Sequence, residues 1–128
     1  MENIVGEPAI RYQKASEGIS KSDFLVIVAN TGLNLTEFSA LLPVSKRTIE
    51  KTKDRDLLSP VVSDRVLQIA SLYQFGSNVI GSNQLFQEWL QSPLIALGGK
   101  KPIHFINNDT GISMIKDLLG RVEHGVYS

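Results

Sequence analysis

The feature that most constrains the fold is an ordered series of helical segments and breaks in the last third of the chain. Trp89, the only tryptophan, shares a helical spacing with three other apolar residues, Leu85, Phe86 and Leu90, and the pattern ends at Ser92-Pro93. An apolar stripe of this kind needs a partner surface. We therefore predict a helix here, with Trp89 as a core anchor rather than a platform for a ligand.

Two further breaks and a closing helix follow. Gly98 and Gly99 end a short helical segment and are free to adopt positive φ, and Pro102 prevents that helix from resuming. Four polar residues can then cap a final helix: Asn107, Asn108, Asp109 and Thr110. Its apolar residues recur in steps of three and four and define one buried face: Ile112, Ile115, Leu119 and Val122.

These pieces occur in a specific order over residues 82–128. The order is Phe-x-x-Trp-Leu, Ala-Leu-Gly-Gly, Pro, Thr-Gly and Leu-Gly-Arg-Val-x-x-Gly-Val. The ordered set resembles the toxin-binding domain of the Xre/MbcA/ParS antitoxin family, whereas any one piece alone would carry no weight. The resemblance implies a bacterial antitoxin whose partner is a RES-domain toxin that consumes NAD.

The resemblance also implies where the toxin binds. In this family the C-terminal end of the antitoxin resembles a plug that reaches into the active-site cleft of the toxin. The predicted toxin-binding residues on this chain are Arg121, His124, Gly125, Val126, Tyr127 and Ser128. A tail with an aromatic ring, held on a helix, suits a concave cleft. Without the resemblance, the same residues would be interpreted as a frayed terminus after a glycine cap.

Composition limits the other functions. The formal net charge is zero, with 13 basic and 13 acidic residues, which argues against a uniformly basic surface for nucleic acid. The chain has no cysteine, and His104 and His124 are too far apart in sequence to make a good metal set. We expect no cofactor and no enzymatic activity. No apolar run has membrane length and the start does not resemble a signal peptide, so we expect a cytoplasmic protein without a membrane partner.

The middle of the chain shows a helix-turn-helix pattern. An apolar run from Phe24 to Ala29, with a polar start at Ser20 and Gly32 behind it, favours a buried helix over a strand. A short helix over 35–42 follows, for which we predict Thr36 as the N-cap. Pro43 ends that helix and Ser45 caps a second short one, whose outer face is basic.

The second of these short helices carries the predicted DNA contacts. They are Ser45, Lys46, Arg47, Thr48, Lys51 and Lys53. A helix that enters a groove must present hydrogen-bonding side chains to base edges while cations at its flanks neutralise phosphates. Pro43 occupies a turn where such proteins often have glycine, so this turn must close without positive φ. The alternative is a solvated basic face on a structural helix, but the Xre-like regions upstream in the family favour DNA binding.

These segments predict an all-α protein, with an N-terminal helix-turn-helix module packed on a small helical C-terminal toxin-binding domain. Ser59-Pro60 begins a longer helix that we expect to end near Phe75-Gly76, with a buried stripe at Val62, Val66, Ile69 and Tyr73. The expected division is a flexible N-terminal arm over 1–19, an Xre-like helix-turn-helix region over 20–76 and the toxin-binding domain over 77–128.

The expected function is that of a type II antitoxin. It blocks the cleft of a cognate RES-type toxin and represses its own operon by binding the promoter DNA as a homodimer. The alternative is a stand-alone helix-turn-helix transcriptional regulator whose C-terminal domain serves only for dimerisation. A third and weaker hypothesis is an enzyme of unrecognised type.

Overall fold

The computed structural model describes residues 8–125, and the architecture in this range is all-α, as predicted. The helices are α1 (Pro8–Glu17), α2 (Lys21–Thr31), α3 (Leu35–Ser39), α4 (Lys46–Lys51), α5 (Pro60–Ile80), α6 (Asn83–Leu90) and α7 (Asp109–Glu123), with 3₁₀ turns at Ile95–Leu97 and Pro102–Phe105. None of the described helices is long and apolar enough to cross a membrane. Three predicted site residues lie outside the described residues: Val126, Tyr127 and Ser128.

The chain divides into two compact units, the first ending at Ser71 and the second beginning at Leu72. This boundary falls within α5, a few residues before the boundary expected after residue 76. In the first unit the rings of Phe24 and Phe38 are fully buried and meet edge to face, with centroids 5.6 Å apart. Each unit therefore builds its own apolar core.

The first unit begins with a helix where the sequence led us to expect a flexible arm. The helix α1 buries Ala15, and Ile19 just after it is also buried, at 3% exposure. Arg11 adds a hydrogen bond from Nη1 to the Ser71 hydroxyl at 3.2 Å. The arm interpretation was wrong for 8–17 because two apolar side chains hold this segment, too few to give a recognisable period.

Helix caps decide where the next two helices begin. Ser20 caps α2 by accepting from the Asp23 amide, and Gly32 ends it at φ 75°, which confirms the helix predicted there. For α3 the N-cap is Asn34, not Thr36. Asn34 Oδ1 accepts from the Glu37 amide at 2.8 Å, and Glu37 Oε1 accepts from the Asn34 amide at 2.9 Å. This reciprocal pair satisfies two amides that Thr36 cannot serve from inside the helix.

Helix α5 is 21 residues long and continues past Gly76, where we expected it to end. Val62, Val66, Ile69 and Tyr73 are all buried, which confirms the predicted stripe. Gly76 is a packing position rather than a helix end, because a Cβ atom there would overlap the ring of Phe86. That ring lies against α5 and meets the ring of Tyr73 edge to face, with centroids 5.1 Å apart. The absence of a side chain at residue 76 therefore lets α6 approach α5.

Helix α7 closes the second unit. Asn108 is its N-cap and accepts from the Gly111 amide at 2.8 Å, which selects one of the four predicted candidates. Gly111 lies so close to the Phe105 carbonyl that a Cβ atom would overlap the carbonyl oxygen. Along the predicted face the first three apolar residues are buried and the last is half-buried: Ile112, Ile115, Leu119 and Val122.

Candidate DNA-binding and protein-binding surfaces

The turn between α3 and α4 closes without a residue in the left-handed region. The Leu41 amide donates to the Phe38 carbonyl at 2.9 Å, and the Leu42 amide donates to the Ser39 carbonyl at 3.0 Å. Both leucine side chains are buried, whereas Pro43 is exposed. Positive φ in residues 8–125 occurs only at glycines, and none lies in this turn. The chain therefore accommodates Pro43 by tightening the end of α3 into 3₁₀ hydrogen bonds.

Helix α4 is held by a cap and by one buried side chain. Ser45 Oγ accepts from the Thr48 amide at 3.1 Å and lies 3.0 Å from the Thr48 hydroxyl. Ile49 is 1% exposed and is the only buried residue of the helix. Because a six-residue helix has little stability of its own, these contacts decide whether its outer face is presented in a fixed form.

All the predicted DNA-contacting residues lie on α4 or directly beside it. They are Ser45, Lys46, Arg47, Thr48, Lys51 and Lys53, and each is exposed. This set is the basic surface of the first unit. Its lysine and arginine side chains can donate to phosphate oxygens. The hydroxyl of Ser45 is already used in the cap, so it contributes to the position of the helix as well as to any contact with a base.

Lys21 is a further cation beside this surface that the sequence interpretation missed. It lies at the start of α2, and its Nζ donates to the Glu50 carbonyl of α4 at 3.4 Å. The chain after α4 reinforces this proximity, because the Lys21 and Ser22 amides donate to the carbonyls of Asp56 and Asp54. Residues this far apart in sequence carry no local signal that they will meet.

The last turn of α7 and the two residues after it include the described part of the predicted toxin-binding residues. Arg121, His124 and Gly125 are exposed. The helix ends in a glycine cap: the Gly125 amide donates to the Val122 carbonyl at 3.0 Å, with φ 74° at Gly125. Within residues 8–125, no three His, Cys, Asp or Glu residues come together in a way that could hold a metal ion.

Beside this helix end lies an apolar groove with a volume of about 340 Å³. Three stretches of chain form it: the end of α6, the loop with the first 3₁₀ turn, and the last turns of α7. We call it the apolar groove, and its lining residues are Trp89, Pro93, Leu94, Ile95, Ala96, Leu118 and Val122. No sequence pattern predicted it.

The loop that forms one wall of the groove is closed by backbone hydrogen bonds. The Leu94 amide donates to the Lys100 carbonyl at 3.1 Å, and the Gly99 amide donates to the Leu94 carbonyl at 2.9 Å. Gly98 and Gly99 have φ of 66° and 81°, so the predicted use of positive φ is confirmed. The closed loop holds Ile95 almost entirely in solvent, at 94% exposure.

Trp89, near the end of α6, also lines the groove. Its ring stacks on that of Phe86, with centroids 5.8 Å apart and planes at 18°. The residue is nevertheless only half-buried and lines the groove. The prediction of a core anchor therefore describes its contact with Phe86 but misses the part that borders the groove.

Two family models of known proteins match consecutive parts of the chain. Residues 11–71 match the family model of the antitoxin Xre-like helix-turn-helix domain. Residues 76–125 match that of the antitoxin Xre/MbcA/ParS C-terminal toxin-binding domain. The first match includes most of α1, and the second includes every lining residue of the apolar groove.

Two individual proteins give further matches. A protein of Yersinia enterocolitica named antitoxin Xre is 25% identical over 87 residues, which cover 66% of this chain and 59% of that relative. The chain thus spans less than two thirds of the relative's length. A chain of the crystal structure of the M. tuberculosis MbcT-MbcA toxin-antitoxin complex superposes with a TM-score of 0.63 at 17% identity. That superposition covers 84% of this chain and 96% of the other, and at this identity it supports the fold alone.

Proposed function

Because the chain belongs to the Xre-type antitoxins, we propose that it neutralises a RES-type toxin that consumes NAD by placing its C-terminal end in the active-site cleft of that toxin. The observation that carries the proposal is the match of residues 76–125 to the toxin-binding domain. Within this domain, Arg121, His124 and Gly125 are exposed at the end of α7.

Inhibition of this kind requires only that the cleft be filled. Helix α7 is packed on a core and is followed by the Gly125 cap, so Arg121 and His124 are presented in a fixed position. Tyr127 then offers a large aromatic area for little loss of conformational entropy, and Arg121 can pair with an acidic group of the partner. This mechanism requires no chemistry by the chain itself, because excluding NAD is sufficient to stop turnover.

The direct test is deletion of residues 126–128, which leaves the Gly125 cap in place. We expect the shortened chain to inhibit NAD consumption by the toxin encoded beside it at least about 30-fold more weakly, because aromatic anchors contribute about 2 kcal/mol or more to binding. The readout is NAD consumption at graded antitoxin concentrations. A circular dichroism melt identical to that of the full chain shows that the fold is intact.

Full inhibition by the shortened chain would contradict the plug mechanism. The rival function, a stand-alone transcriptional regulator, makes a different prediction for the same proteins. In that case even the full chain forms no complex with the toxin and does not alter NAD consumption, while promoter binding is unaffected by the deletion.

We propose in addition that the basic surface binds the promoter of the chain's own operon. The support is that all six predicted residues are exposed on and beside α4, in a region matched by the helix-turn-helix family model. One helix with so few cations neutralises few phosphates, so a single copy would bind weakly. A homodimer that contacts two half-sites doubles the number of phosphate contacts.

Replacing Arg47 and Lys51 together by alanine tests this second proposal. We expect weaker promoter binding and a salt-dependence slope reduced by about 2 for each chain bound, since each lost phosphate contact removes about 1. The matched control replaces two exposed lysines of the second unit, Lys100 and Lys116, by alanine. Equal affinities of the two double variants, measured by fluorescence anisotropy, would show that α4 is an ordinary solvated surface.

A further inference from the structure

The apolar groove has no role in the two proposals above, although it is the feature of the second unit that most needs a partner. Ile95 is 94% exposed, the highest value among the large apolar residues of the described chain. Ile95 also lines the groove, so its exposed side chain and the groove form one continuous apolar surface. A contiguous exposed apolar surface of this kind marks a site that binds another molecule.

The chemistry of the groove specifies what can occupy it. All of its lining residues are apolar, so no charged group is available to pair with a charged ligand. Within the loop that carries Ile95, the amides of Leu94, Gly98, Gly99 and Lys100 are engaged in backbone hydrogen bonds. The side chains that line the groove therefore offer chiefly apolar area. The occupant of the groove is an apolar side chain rather than a polar small molecule.

The position of the groove indicates which molecule supplies that side chain. Leu118 and Val122 of α7 line the groove, Arg121 lies between them in sequence, and His124 and Gly125 directly follow the helix. Any molecule that engages the end of α7 is therefore brought beside the groove. All the lining residues also lie within residues 76–125, the range of the toxin-binding family model.

We propose that the apolar groove is a second contact with the toxin, which inserts an apolar side chain from the surface next to its cleft. This inference rests on the proposed antitoxin function. The groove adds affinity through apolar burial to the contact made by the end of the chain, and only that end excludes NAD. Loss of the groove contact lowers affinity but leaves the bound chain inhibitory, whereas loss of the chain end lowers affinity and also leaves the cleft open to NAD in the complex that still forms.

The test replaces Ile95 by aspartate and measures binding to the toxin encoded beside the chain by isothermal titration calorimetry. We expect the dissociation constant to rise at least about 30-fold, because a charge would be buried without a partner in place of an apolar contact. The matched control is Val61→Asp, another exposed β-branched residue, at 68% exposure in the first unit. It should change the dissociation constant by less than about twofold, as expected for a residue outside the interface.

Residue 95 is so exposed that the variant keeps its fold, which an unchanged thermal melt verifies. A crosslink from a photoreactive residue at position 95 to the toxin would support the proposal in the intact complex. If the unaltered chain binds the toxin and Ile95→Asp binds equally well, the groove proposal is overturned while the antitoxin function stands. If the unaltered chain does not bind the toxin at all, it is the antitoxin function that fails.

Two other occupants give distinct results. If a second copy of the chain occupies the groove, Ile95→Asp lowers the mass in sedimentation equilibrium and leaves toxin affinity unchanged. If the chain's own residues 126–128 occupy it, their deletion changes Trp89 fluorescence in the free protein and Ile95→Asp again leaves toxin affinity unchanged. Either result would overturn the proposal.

Discussion

The basic surface of the first unit and the apolar groove of the second unit are built in opposite ways. The basic surface lies on one short helix and the residues beside it, and its side chains are polar or charged and separately exposed. The groove brings together three separated stretches of chain and contains no charged lining residue. The first therefore suits a polyanion, whose attraction depends on ionic strength, and the second suits an apolar protein surface, whose binding depends on shape.

The largest expected effect comes from the helix that forms one wall of the groove. In Gly111→Ala the new methyl group overlaps the Phe105 carbonyl oxygen, which cannot move aside as a flexible side chain would. We expect a loss of about 3 kcal/mol in the free energy of unfolding, at the upper end for overpacking. Urea denaturation measures the loss, and toxin binding should weaken because α7 shifts.

The same variant tests whether the two surfaces act separately. Under conditions where the protein is still folded, promoter binding by Gly111→Ala should equal that of the unaltered chain, because α4 belongs to the other unit. Equal weakening of toxin and promoter binding would show that the two surfaces do not act separately.

A change in salt concentration should have an effect of intermediate size on the two affinities. If a bound dimer neutralises about four phosphates, its promoter affinity falls about 100-fold between 0.1 and 0.4 M salt. Toxin affinity should change by less than about threefold over the same range, because apolar burial is not screened. Anisotropy for the promoter and calorimetry for the toxin give the two slopes. Similar slopes would contradict the division into an ionic and an apolar surface.

The basic surface was open to prediction because its determinants are local. Ser45 as an N-cap, Ile49 as the single buried contact and a run of exposed cations all lie within a few residues, so a short helix with these features follows from the local sequence. Lys21 was missed because it contacts α4 only in the tertiary fold, 29 residues away in sequence from its partner Glu50.

The groove could not be predicted because none of its three stretches signals it alone. Trp89 fits a core stripe, and Val122 fits the buried face of the last helix. Only the folded loop shows that both border an open space and that Ile95 points away from the core. The N-cap of α3 could not be predicted either. Asn34 and Thr36 are both good capping residues, and only the backbone conformation shows that Asn34 is the cap.

The smallest expected effect is a gain in stability. Gly120 lies in α7, and no atom comes within 4 Å of the position that a Cβ atom would take there. Gly120→Ala should therefore stabilise the protein by about 0.5–1 kcal/mol through the better helix propensity of alanine. Urea denaturation again provides the measurement. The variant also serves as the matched control for Gly111→Ala in the same helix.

Gly120→Ala further tests where on α7 the toxin binds. Toxin affinity should be unchanged if binding uses the groove wall and the helix end. A fall in affinity despite the gain in stability would mean that the toxin packs closely against Gly120, which would shift the interface away from the groove.

The most direct test of how the two surfaces divide their partners is amide hydrogen exchange of the chain with and without the proposed toxin partner. We predict slower exchange on complex formation in residues 89–96 and 118–125, and unchanged exchange in residues 45–53. Protection confined to 45–53, with exchange at the groove and at the end of α7 unaltered, would contradict the assignment of the toxin to the second unit.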